Sequence, residues 1–198
     1  MRHLLTAIAA FSIAAPALAA ATVGAPAPAF TATASNGKTV SLADYKGQVV
    51  VLEWTNSGCP FVRAHYDSGA MQATQAAARQ KGAVWLTVNS GAPGKQGHVD
   101  AAGANAEVAQ EKAQPTAYLL DAGGDLGRLY GAKTTPHIFV IDAKGTLVYA
   151  GAINDRPTAE QADAKAGSNY ALAAVDATLA GRAPAVATSK PYGCSVKY

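Results

Sequence analysis

The decisive stretch of this 198-residue chain reads Trp54-Thr55-Asn56-Ser57-Gly58-Cys59-Pro60-Phe61-Val62. The apolar residues 49–52 before it are typical of a buried strand, and residues 60–81 after it favour a helix. A cysteine at such a junction lies near unpaired backbone N–H groups and the positive helix end, which favour the thiolate. Cys59 is therefore the candidate nucleophile, and its place in a loop predicts access to solvent.

Two other residues can support this chemistry. Arg63 follows Cys59 by four residues on the same predicted helix face, where a guanidinium could stabilise a thiolate. Cys194 is the only other cysteine, the fifth residue from the end of the chain. It could resolve an oxidised Cys59, or it could form a permanent structural disulfide with it. The residues alone leave both possibilities open.

The N-terminal residues predict export. A basic start at Arg2 and His3 precedes an apolar run over residues 4–15 and a small-residue cleavage site, Pro16-Ala17-Leu18-Ala19. We therefore predict a signal peptide over residues 1–19, a linker over 20–27 and a periplasmic or secreted protein. The apolar run is too short to span a membrane, and no membrane span is predicted elsewhere. Export implies an oxidising compartment.

Composition excludes some classes of function. The formal charge is +3, only 15% of residues are charged, and the basic residues form no run. Nucleic acid binding therefore has no support. His65 and His98 show no metal-ligand spacing, and we predict neither a metal site nor a bound cofactor.

The order of elements predicts an α/β fold with a mixed central sheet and helices on both faces. It opens with a β-hairpin over residues 30–40, followed by a capped helical turn at residues 41–45. The remaining predicted strands are 48–54, 83–89, 116–120, 137–141 and 146–150, and the predicted helices are 60–81, 98–112, 125–130 and 167–180. These elements form one domain, residues 28–181, and the tail over residues 182–198 is expected to be irregular.

Three stretches carry a family pattern. The first is Phe30-x-Ala-x-x-x-x-Gly37-Lys38-x-Val40-x-Leu42-x-x-Tyr45-x-Gly47, followed by Val49-Val50-Val51-Leu52. The second is Glu53, six residues before Cys59. The third is Tyr130-Gly131-Ala132-Lys133-Thr134-Thr135-Pro136-His137-Ile138-Phe139-Val140-Ile141-Asp142. Together they resemble the thioredoxin fold in its redoxin and peroxiredoxin-like version. The Cys-Pro-Phe-Val and closing Pro-Tyr-Gly-Cys-Ser-Val-Lys-Tyr strings are similar to exported redoxins related to alkyl hydroperoxide reductase and thiol-specific antioxidant proteins.

The resemblance implies roles for particular residues. The Thr135–Pro136 bond is expected to be cis and to face Cys59, with Thr55, Thr135 and Pro136 lining a substrate site. Glu53 would be a buried acid with a raised pKa that relays a proton to Cys59.

The resemblance also has departures. A thioredoxin-type pair would need a second cysteine where Val62 stands, and the standard peroxiredoxin signature is incomplete because its proline is missing.

The preferred function is an exported thiol peroxidase. Cys59 attacks a peroxide, Cys194 or an external thiol resolves the product, and a thioredoxin-like reductant restores the enzyme. One alternative is a thiol–disulfide oxidoreductase partner. A second is a non-catalytic binding or structural module with a fixed Cys59–Cys194 disulfide. The weakest alternative is a copper-binding module that uses Cys59 and His137.

Overall fold

The structure is a computed structural model that describes residues 21–198. The predicted signal peptide, residues 1–19, lies outside the described residues. The strands are β1 (Thr31–Ala34), β2 (Thr39–Ser41), β3 (Val50–Trp54), β4 (Val84–Asn89), β5 (Ala117–Leu120), β6 (Thr134–Thr135), β7 (His137–Ile141), β8 (Leu147–Gly151) and β9 (Cys194–Ser195). The helices are α1 (Pro60–Asp67), α2 (Ala70–Gln80), α3 (Ala101–Gln110), α4 (Asp125–Tyr130), α5 (Gln161–Ala166) and α6 (Tyr170–Leu179).

Seven strands form one mixed sheet in the order β2-β1-β5-β4-β3-β7-β8. The central strands β3, β4 and β5 run parallel, and the outer pairs are antiparallel. Parallel neighbours need a crossover connection, which α1 and α2 supply between β3 and β4. The predicted α/β fold with a mixed sheet and an opening hairpin is confirmed.

The central strand β3 separates two apolar clusters, one on each face of the sheet. Successive strand residues point to opposite faces, so Leu52 and Trp54 pack with Phe139 and the α4 residue Tyr130. Val51 faces the other way, into the cluster that α1, α2 and α6 cover. Glu53 shares the phase of Val51, so its carboxyl points into the helix-covered side. Every residue of β3 is buried, so the Cys59 loop starts from a strand in the core.

The predicted single helix over residues 60–81 is wrong, because the chain breaks at Ser68 and Gly69. Gly69 has a φ of 81°, in the left-handed region that favours glycine, and it begins α2 instead of continuing α1. The break was missed because the Ala- and Gln-rich sequence on both sides favours a helix.

Two further segments differ from the expectation. The helix α5 was not predicted. The tail is not irregular throughout, because β9 forms a two-residue antiparallel ladder with β6. Residues of the predicted linker also contact the body: the Gly24 and Ala27 N–H groups donate to the carbonyls of Leu147 and Gly145. Within residues 21–198, no helix combines the length and the apolar character that crossing a membrane requires.

Candidate active site

Cys59 is the N-cap residue of α1, with Pro60 at the first helical position. Its N–H donates to the Asn56 carbonyl at 3.0 Å, which closes the turn between β3 and the helix. The strand-to-helix junction is therefore confirmed. The expected access to solvent is not observed, because Cys59 is fully buried.

The second cysteine covers the first. In the β6–β9 ladder Cys194 lies opposite Thr135, and Ser195 lies opposite Thr134. Both Cys59 and Cys194 are free thiols. The tail thus places the two sulfurs in direct interaction although 134 residues separate them in sequence.

The surroundings favour the Cys59 thiolate. Burial by itself raises the pKa of Cys59, but its neighbours more than offset this and the net pKa is lowered. The lowering comes from the Cys194 thiol, the backbone N–H groups of Val62 and Cys194, and the Thr135 hydroxyl. Only Val62 belongs to the helix start, so the tail supplies as much of the thiolate support as the helix does.

The pKa of Cys194 is shifted in the opposite direction. Burial, its hydrogen bond with Cys59 and the Cys59 charge raise its pKa to about 11, against a lowering by Lys197. The opposite shifts of the two pKa values favour one thiolate, on Cys59, beside one thiol, on Cys194.

The Thr135–Pro136 peptide bond is cis. In the thiol form, Cys59 donates to the Thr135 carbonyl at 3.1 Å. The Thr135 hydroxyl is buried and has no hydrogen-bond partner among the described residues, so it remains available to the Cys59 sulfur. Gly193 lies against the same peptide: a Cβ there would be 2.0 Å from the Thr135 oxygen.

Thr55 directly follows β3 and is buried. Its N–H donates to the Val88 carbonyl at 2.9 Å. Thr55 also borders a small cavity that Glu107 and Glu111 line.

Glu53 is fully buried below the site, on the side of the sheet covered by α1 and α2. One carboxylate oxygen accepts from the Tyr66 hydroxyl at 2.8 Å. The other accepts from Trp85 Nε1 at 2.7 Å, Gln75 Nε2 at 3.0 Å and Thr87 Oγ1 at 3.1 Å. Burial raises the pKa of Glu53, and these four donors offset part of that rise. A buried acid with a raised pKa keeps its proton to a higher pH than an exposed one does.

Arg63 has partners other than the sulfur. Its guanidinium forms ion pairs with Asp67 and Glu111. The groups that lower the pKa of Cys59 are the thiol, backbone and hydroxyl groups described above, and Arg63 is not among them.

His137 Nδ1 accepts from the Lys133 N–H at 3.2 Å, and its ring packs on Phe139 with centroids 4.3 Å apart. Burial lowers the pKa of His137 to about 3, so the ring is neutral. Among the described residues, no group of three or more His, Cys, Asp or Glu side chains is placed to hold a metal ion.

Sequence reasoning missed Tyr192 and His65. Tyr192 lies two residues before Cys194; its hydroxyl donates to Asn154 Oδ1 and lies 3.1 Å from His65 Nε2. Its ring packs against Phe61, with centroids 5.9 Å apart. The closing Pro-Tyr-Gly-Cys string was the available signal, but nothing in it identifies the partners of the tyrosine.

Comparison with known proteins identifies the family, because the AhpC/TSA profile matches residues 23–150. The chain belongs to the AhpC/TSA family. The match covers β1 through most of β8, including Cys59 and the Thr135–Pro136 bond. It ends before the tail that carries Cys194. No curated protein matches the chain at a significant level.

Solved structures share the fold of this AhpC/TSA member. A hypothetical protein from Sinorhizobium meliloti 1021 is 26% identical with a TM-score of 0.74, and the match covers 91% of this chain and 96% of that one. An uncharacterized conserved protein from Geobacillus kaustophilus is also 26% identical with a TM-score of 0.74, over 89% and 92% of the two chains. A Chlorobium tepidum protein with the provisional name thiol:disulfide interchange protein DsbE is 30% identical with a TM-score of 0.52, over 66% and 85%. These likenesses support a thioredoxin-like fold. Membership of the AhpC/TSA family supports an oxidoreductase activity based on thiols.

Proposed function

We propose that this protein is an exported thiol peroxidase in which Cys59 reduces a peroxide and Cys194 resolves the product. The observation that carries the proposal is the pairing of two free thiols with opposite pKa shifts. Cys59 has a lowered pKa, while that of Cys194 is raised to about 11. A permanent structural bridge would need no such difference between its sulfurs.

In the first step the Cys59 thiolate attacks one peroxide oxygen. A sulfur–oxygen bond forms, the O–O bond breaks, and the departing oxygen leaves as an alcohol or water after taking a proton. Cys59 is oxidised to a sulfenic acid. Thr135 and Pro136 border the sulfur and line the place where the peroxide must enter. Glu53 is proposed as the proton reservoir of this step.

In the second step Cys194 attacks the sulfenic sulfur. A disulfide forms, and the sulfenic oxygen leaves as water with the proton of Cys194. Oxidation removes the negative charge of Cys59, one of the causes that raise the pKa of Cys194. The resolving thiol therefore becomes easier to ionise once it is needed.

The cycle closes outside the chain. A dithiol protein of thioredoxin type would supply two electrons through a mixed disulfide and restore both thiols. Export to the periplasm or beyond is proposed from residues 1–19, and it would place the reaction in an oxidising compartment.

The test is rapid mixing of the reduced protein with hydrogen peroxide while a dimedone probe traps sulfenic acid. Cys59→Ser should abolish peroxide consumption. Cys194→Ser should still react and accumulate the trapped sulfenic acid. A wild-type reaction no faster than that of a free cysteine would sink the peroxidase proposal.

A second candidate is thiol–disulfide exchange with another protein, which the 30% identical Chlorobium tepidum neighbour favours. It requires the same pair to pass electrons without peroxide. Reduction of the Cys59–Cys194 disulfide by thioredoxin, combined with slow peroxide consumption, would favour it. A disulfide potential well below about −300 mV would instead indicate a fixed structural bridge.

A further inference from the structure

Tyr192 joins the tail to the body through three contacts. Its ring packs on Phe61, and its hydroxyl interacts with both Asn154 and the buried His65. These partners lie on α1 and on the segment after β8, so a single side chain ties the tail to two separate parts of the body. We call Tyr192, His65 and Asn154 the tail latch.

The hydrogen-bond roles in the latch follow from its geometry. The Tyr192 hydroxyl donates to Asn154 Oδ1, so its oxygen is left to accept a hydrogen bond from His65 Nε2–H. His65 Nδ1 is then the unprotonated nitrogen, and it is buried without a partner among the described residues. The tyrosine hydroxyl thus satisfies two body groups at once, and phenylalanine could satisfy neither.

The tail latch holds Cys194 in place over Cys59. Two residues after Tyr192, Cys194 enters the ladder with β6, and both its backbone N–H and its thiol interact with the Cys59 sulfur. The sulfur is fully buried in this arrangement. The ladder is only two residues long and separate from the main sheet, so it can open without breaking a strand pair of that sheet. The hydrogen bonds of Val196 with Lys133 and of Lys197 with Ala92 open with it.

We propose that Tyr192 is a positioning residue that controls both steps of the cycle in opposite directions. With the latch closed, Cys194 is held against Cys59 and can resolve it, but an oxidant cannot reach the sulfur. With the latch open, Cys59 is accessible, but its resolving partner is away. The inference rests on the proposed peroxidase cycle for its second half only, because access to Cys59 can be measured without peroxide.

The access half is tested in a Cys194→Ser background, where Cys59 is the only thiol. The reduced protein is treated with iodoacetamide at neutral pH, and the labelled fraction is followed by intact mass. Tyr192→Phe should speed labelling about fivefold, because the closed state loses its hydroxyl bonds. Tyr192→Ala, which also loses the ring contact, should speed it at least tenfold, as an order-of-magnitude expectation.

Tyr130→Phe is the matched control. It removes one buried tyrosine hydroxyl, which donates to the Pro28 carbonyl in the cluster on the opposite face of the sheet. Labelling of Cys59 in this variant should equal that of the background. Thermal unfolding of each variant shows whether it is folded, and Tyr192→Phe carries the test if Tyr192→Ala is not.

The resolving half uses both cysteines and hydrogen peroxide. In Tyr192→Ala the Cys59 sulfenic acid should form faster and should also persist longer before Cys194 resolves it, so that dimedone added later traps more of it. Unchanged labelling in both Tyr192 variants would overturn the inference, as would a slower formation of the sulfenic acid. Slow peroxide chemistry in the wild type, together with faster labelling in the variants, would reject the peroxidase and retain Tyr192 as the gate of Cys59.

Discussion

Cys194 lies directly opposite Thr135 in a two-residue antiparallel ladder, and this register delivers the second sulfur to Cys59. The Thr135 carbonyl accepts from the Cys59 thiol at 3.1 Å, so one residue contacts both halves of the pair. Strand pairing therefore replaces the short spacing that joins the two cysteines of a thioredoxin-type motif.

The Thr135 hydroxyl is expected to support the thiolate where Arg63 does not. Thr135→Val keeps the shape of the side chain and removes the hydroxyl, so the pKa of Cys59 should rise. Arg63→Ala should leave the pKa of Cys59 unchanged, because the guanidinium is paired with Asp67 and Glu111. The measurement is the pH dependence of Cys59 alkylation in a Cys194→Ser background. A larger effect of Arg63→Ala would contradict the assignment.

Gly193 permits the close approach of the tail to the cis peptide. Its φ is 128°, and a Cβ would lie 2.0 Å from the Thr135 oxygen. Gly193→Ala should displace β9 and slow disulfide formation about tenfold or more, the strain being ~1–3 kcal/mol. Gly181→Ala is the control: its φ is 69°, but no heavy atom lies within 4 Å of the added carbon. It should cost some stability and leave the rate of disulfide formation intact.

Ionisation of Glu53 should lower the free energy of unfolding as pH rises. Its folded-state pKa is raised above 4.5, so its contribution is fully present below that pH and is lost as pH rises toward the folded value. Glu53→Gln cannot ionise. The free energy of unfolding of the wild type, relative to the variant, should decrease above pH 4.5 with a slope of at most about 1.4 kcal/mol per pH unit. Parallel urea-unfolding profiles of the two proteins would show that the carboxyl does not carry this shift.

Lys197 should assist the resolving step, because its charge lowers the pKa of Cys194 against the rise caused by burial. Lys197→Gln removes that charge and keeps most of the side chain. The pKa of Cys194 should rise, and the free sulfenic acid on Cys59 should persist a few-fold longer, measured by adding dimedone at increasing delays after peroxide. Lys190→Gln, an exposed lysine on the same tail, serves as the control. Equal effects of the two variants would indicate a general charge effect.

Much of the fold could be predicted from short-range patterns in the sequence. The apolar run in β3 and the capped turn after Ser41 could both be predicted, since each depends on neighbours in sequence. The break at Gly69 could not, because one glycine between two helix-favouring segments carries a weak signal. The helix α5 has no buried residues, so it lacked the apolar period that reveals a helix.

The candidate site divides in the same way. The identity of Cys59, its helix-start position and the acid six residues before it were visible along the chain. The partners of that acid come from α1, α2 and β4, and those of Arg63 include Glu111, which is 48 residues away. Such pairings depend on how the helices pack, and no local pattern specifies them.

The sequence by itself determined that a candidate nucleophilic cysteine stands at a strand-to-helix junction, because that junction is built from adjacent residues. Its motifs also indicated a thioredoxin-like fold. Only the tertiary structure decided what covers and tunes this cysteine. The ladder between β6 and β9 brings Cys194 and Gly193 to Cys59, next to the tail latch. It buries the Cys59 sulfur, which the loop position had suggested was exposed to solvent. Contacts between segments so distant in the chain form only when the sheet, the cis peptide and the tail are assembled together.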